Sequence, residues 1–69
     1  MNCSAQIHAA KLAMARAAWA RGVAPYYDES AVIDMLVDLR HYARQAGIDF
    51  ARCEHMAVGI FNVEIGSAP

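Results

Sequence analysis

Apolar residues recur at helical spacing in three stretches of the chain, and the widest stripe lies in the middle one. From Ala31 to Ala46, Val32, Met35, Leu36, Leu39, Tyr42, Ala43 and Ala46 share one side of a helical period. Ile33 and Val37 carry that side further round, leaving Asp34, Asp38, His41 and Gln45 as the clean polar strip. A helix this broadly apolar needs more cover than two short neighbours supply, so the pattern predicts a second polypeptide against it.

The flanking stretches read as helices too. The first is expected from about residue 4 to 21, with Ser4 as N-cap and Gly22 as the stop. Its many alanines favour helix. Its apolar positions form two strips, Ile7–Met14–Ala18 and Leu12–Ala15–Trp19, as in a helix touching two surfaces. Val23 to Tyr27, held by Pro25, is a linker. Asp28 opens the second helix (28–46), with Glu29 at its positive end, and Gly47 closes it. Asp49 caps the third (about 49–64), whose apolar side is Phe50, Cys53, Ala57, Ile60 and Phe61. Val58 to Ile65 is rich in β-branched residues and contains Gly59. A frayed helix is expected there rather than a strand, because no second strand offers to pair. Residues 66–69 are expected as a loose tail.

The predicted fold is all-α: one three-helix domain over residues 1–69, completed as a homodimeric helical bundle. The dimer is expected through the first two helices, with Ile7, Met14, Trp19, Val32, Ile33, Leu36 and Val37 at the interface.

Length sharpens this expectation. Of 69 residues, 58% are apolar, yet a core this small rarely supplies more than about 3–5 kcal/mol without a staple. Cys3 and Cys53 make at most one bridge and read as free thiols of a reducing cytoplasm. With no cofactor or metal implied, oligomerisation is the expected staple. No stretch approaches the ~18 apolar residues of a membrane span. The first 27 residues hold Lys11, Arg16 and Arg21 with no acid, a composition shared with transit peptides. Removing them would leave too short a chain to fold, so a complete cytoplasmic protein is expected.

Charge is segregated: residues 28–38 carry Asp28, Glu29, Asp34 and Asp38 with no base. Bases on the first helix facing acids on the second can orient the pair. Asp34, Asp38 and His41 at i, i+4 and i+7 share a face and would suit half of a metal shell, though a solvated face needs the same residues. Cys53 falls on the core side, where a thiol is inert, and the histidines are scattered, so no enzyme is expected. Ala43, Gly47 and Ile48 fit the corner of a helix-turn-helix, with Cys53 and Met56 inward and Asp49, Phe50, Arg52, Glu54 and His55 towards a major groove. Against nucleic acid stands the net charge of −1, since phosphate binding needs several cations. Trp19, Tyr26, Tyr27 and Tyr42 are of the types enriched at binding hot spots.

The segments Asp38-Leu39-Arg40-His41 and Gly47-Ile48-Asp49-Phe50, five residues apart, resemble a pattern in short helical proteins of phages, plasmids and integrative elements. Trp19 near the end of an alanine-rich first helix fits the same pattern, as do Phe61 and Glu64. Ile60 stands where those proteins often carry a histidine. The resemblance spans most of residues 13–64 and implies a mobile-element setting rather than a reaction. Compact proteins of that setting often occupy a surface on a host protein, as anti-CRISPR inhibitors of host defence do. The expected function is therefore non-enzymatic binding to a host protein or complex. Tyr26, Tyr27, Asp28, Glu29, Asp34, Asp38 and His41 are the expected determinants, the acidic strip mimicking phosphate. A small helix-turn-helix DNA-binding regulator is the alternative.

Overall fold

The structure, a computed structural model, describes residues 3–66. They form three helices in sequence, α1 (Ser4–Ala20), α2 (Glu29–Ala46) and α3 (Phe50–Gly66), and no strand occurs among the described residues. The β-branched segment that ends the chain is continuous helix, and it reaches past Glu64 to Gly66. Residues 67–69 of the expected tail lie outside the described residues.

Local chemistry sets the helix ends. Asp28 is the N-cap of α2, its carboxylate accepting from the Ala31 amide at 3.2 Å and from the Ser30 hydroxyl at 2.5 Å. The Arg52 amide donates to Asp49 Oδ1 at 3.0 Å and caps α3 in the same way. Ser4 is not the cap of α1. The Ile7 amide donates to the Cys3 carbonyl at 3.0 Å, which moves the boundary to Cys3, and no side chain caps this end.

The first two helices stop alike. Gly22 (φ 78°) and Gly47 (φ 72°) adopt the left-handed conformation. Beyond them Val23 and Ile48 donate back to the carbonyls of Ala18 and Ala43, at 3.0 and 2.8 Å. These are Schellman closures, which satisfy the last carbonyls while turning the chain away.

Helix α1 packs closely on α2 and α2 on α3, whereas the backbones of α1 and α3 stay further apart. A side-chain hydrogen bond, Gln6 Nε2 to Glu64 Oε2 at 3.1 Å, spans the two. The molecule is consequently open, 41 × 29 × 16 Å, with a radius of gyration of 13.7 Å. A compact domain of this length would have about 11 Å.

The core is correspondingly slight. Ala15, Ala18, Ala31 and Ala43 are the buried residues among those described, and α3 buries none. Alanines let α1 and α2 approach closely, but they leave every large apolar side chain partly in water.

Candidate binding surface

The inner sides of the three helices leave an apolar trough made of three hollows that share lining residues. Its first section lies between α1 and α2, about 160 Å³ lined by Ala10, Ala13, Met14, Val32, Met35 and Leu36. Leu36 also lines the second section, about 220 Å³ between α2 and α3, with Leu39, Phe50, Cys53, Glu54 and Ala57. Ala10 joins the first section to a third, about 390 Å³ between α1 and α3, where Ile7 and Phe61 stand beside the Gln6–Glu64 bond. Among the described residues nothing covers it.

Of the seven residues expected at a dimer interface, four line the trough. Met14, Val32 and Leu36 line the trough between α1 and α2, and Ile7 lines its α1–α3 end. Trp19 lies on the outer surface of α1 beside Arg16, Ala17 and Ala20 and is 58% exposed. Ile33 and Val37 are exposed, Ile33 beside Leu36 on the helix and Val37 further round from Leu36 and Leu39.

On α3, Phe50, Cys53 and Ala57 face α2, while Ile60, seven residues on from Cys53 and so close to it round the helix, lines a furrow with His55, Met56, Gly59, Val63 and Glu64. Cys53 is exposed in the trough rather than covered, because nothing closes over it. Both cysteines are free thiols.

The acidic strip is largely engaged within the chain. Asp38 pairs with Arg21 at the end of α1. The Tyr26 hydroxyl donates to Asp34 Oδ2 at 2.5 Å. Opposed charge between the first two helices thus fastens them inside one chain. The Asp38 hydrogen bond, partly offset by desolvation, raises the Arg21 guanidinium above its ordinary value. The Asp34 bond is also the main reason the Tyr26 phenol is raised, since a phenolate there would face a carboxylate. The Ser30 hydroxyl and then the Ala31 amide hold the Asp28 carboxyl below its usual range. Tyr27, Glu29 and His41 remain exposed on this side. No hydrogen bond joins Asp38 to His41, and no three metal-ligating side chains converge among the described residues.

At the α2–α3 corner, Arg40 lies over the Phe50 ring at 4.6 Å from its centre and within 3.8 Å of Glu54. Neither contact was legible from spacing alone, because it depends on the angle at which Gly47 turns the chain. Of the two side chains expected inward in a helix-turn-helix, Cys53 faces α2 and Met56 does not.

No protein-family model, no curated protein and no solved structure matches this chain.

Proposed function

We propose that this chain is a non-enzymatic protein-binding module that works as a homodimer. Its uncovered apolar surface carries the reading. The chain exposes 5528 Å², whereas a compact monomer of 7.5 kDa would expose about 4,250 Å². The excess, about 1,300 Å² per chain, reflects the open arrangement of the three helices around the trough. A net charge of −1 opposes self-association little.

The role proposed for the dimer is that of a mobile-element protein that blocks a host complex, for instance as an anti-CRISPR inhibitor, as the resemblance to short mobile-element proteins implies. The exposed Tyr27, Glu29 and His41 are the contacts it would offer, with the engaged Asp34 and Asp38 lending negative potential. Native mass by light scattering during size exclusion tests the association. A dimer across a wide concentration range is expected, and a monomer throughout would overturn it. Expression in a cell that restricts a phage by CRISPR interference tests the role. Plaque counts should rise by orders of magnitude, and unchanged counts would remove it.

The Schellman corner at Gly47 favours one second reading, a helix-turn-helix DNA-binding regulator. That reading requires duplex retardation at low salt, lost with Arg52→Ala. No retardation of any duplex would end it.

A further inference from the structure

Where α1 and α3 face each other the chain keeps a gap. Every Cα of α1 lies more than 8 Å from every Cα of α3, wider than the closest approach of packed helices. The hollow of about 390 Å³ between them is lined by Ile7, Ala10, Phe61 and Ile65. Ile7, Phe61 and Ile65 are 58%, 57% and 51% exposed, and Ala10 takes up little of the space. The start of α3 is held by Arg40, which lies over the Phe50 ring and beside Glu54. Residues 47–49 join that end to α2, and no atom lies within 4 Å of the place a Cβ on Gly47 would take. Towards the other end of α3, Gln6 reaches Glu64 at 3.1 Å through two long side chains. Such a bond works as a leash: it keeps the end of α3 near α1 and tolerates a closer approach. Helix α3 buries no residue among those described, so turning it disturbs no packed interior.

We propose that α3 is a flap, hinged at the Gly47–Asp49 corner, that closes on α1 and shuts this hollow. Removing Ile7, Phe61 and Ile65 from water favours closure, and the Gln6–Glu64 leash limits how far α3 has to travel. A partner that enters the hollow has to hold the flap open, so closure competes with binding at that end of the trough. The movement lies within one chain and does not depend on the homodimer proposed above.

The full chain carrying Cys3→Ser, Cys53→Ser, Gln6→Cys and Glu64→Cys tests closure. A disulfide needs its two Cα atoms within about 7 Å, which the open gap denies and a closed flap allows. Equilibration with oxidised glutathione, which is reduced to two molecules of the thiol as the bond forms, gives the effective concentration of one thiol at the other. Bonds within one chain are separated by mass from bonds between chains. The effective concentration should be at least tenfold higher in buffer than in concentrated urea, with helicity by circular dichroism kept. A ratio below tenfold means that the gap stays open, and it overturns the flap. If that pair disturbs folding, Ile7→Cys with Phe61→Cys in the same background places two thiols across the same hollow, and the same ratio decides.

Discussion

Tyr26 donates its hydroxyl proton to Asp34 at 2.5 Å, and the linker after α1 is thereby tied back onto α2. Asp38, one turn further along α2, takes Arg21 from the end of α1. The two bonds fasten α1, the linker and α2 without any large buried side chain. Tyr26→Phe removes one of them and should lower the thermal midpoint by a few degrees at constant protein concentration. The raised phenol works in the same direction. Its contribution is complete below the ordinary tyrosine range, near 10, and is lost as pH rises through the higher folded value. Absorbance titration at 295 nm should lose its most alkaline portion in Tyr26→Phe.

The Arg21–Asp38 pair is partly exposed, with side chains 33% and 46% accessible, so salt should screen it. A double-mutant cycle of Arg21→Gln and Asp38→Asn, read by urea denaturation, should give a favourable coupling in low salt that shrinks towards zero in 1 M salt. Coupling unaffected by salt would show that packing of the arginine stem, not charge, joins the helices. Charge reversal at Asp34 and Asp38 should likewise loosen α1, so Tyr27→Ala with Glu29→Lys is the cleaner probe of partner binding.

Asp28 supplies a pH-dependent cap. Its carboxyl is held below the ordinary aspartate range, so its stabilisation is present above the unfolded value and disappears as pH falls through the lower folded one. Asp28→Asn keeps an accepting oxygen and should flatten this acid limb of the stability profile, with little change at pH 7. Asp28→Ala should destabilise α2 at both pH values.

Gly47 needs its positive φ of 72°. Alanine in the left-handed region costs roughly 1–2 kcal/mol, so Gly47→Ala should destabilise the chain by about that amount in urea. Gly47→Asn should be milder, because asparagine visits this region more readily.

Leu36 touches two sections of the trough and is 41% exposed. In the chain alone, Leu36→Ala should cost well under the ~2–5 kcal/mol of a buried leucine. A cost in that full range would mean that another polypeptide covers the trough in solution. Thiol labelling gives an independent reading: Cys53 should react with a disulfide reagent without denaturant, and a covered trough would slow it.

The helices were legible in the sequence because their determinants are local. Alanine content, the aspartates at 28 and 49 and the glycines at 22 and 47 act within one turn, through capping bonds and positive φ. The apolar excess on α2 was equally plain, since periodicity records which side of a helix avoids water. Which apolar residues line the trough and which stay outside it was decided by tertiary structure. The angles at which α1 and α3 leave α2 depend on alanine-to-alanine contact, on Arg21 reaching Asp38 and on the turn at Gly47. Those contacts give Asp34 and Asp38 intramolecular partners. Period alone fixes a residue's side of its own helix, and only the packing of helices fixes what that side meets.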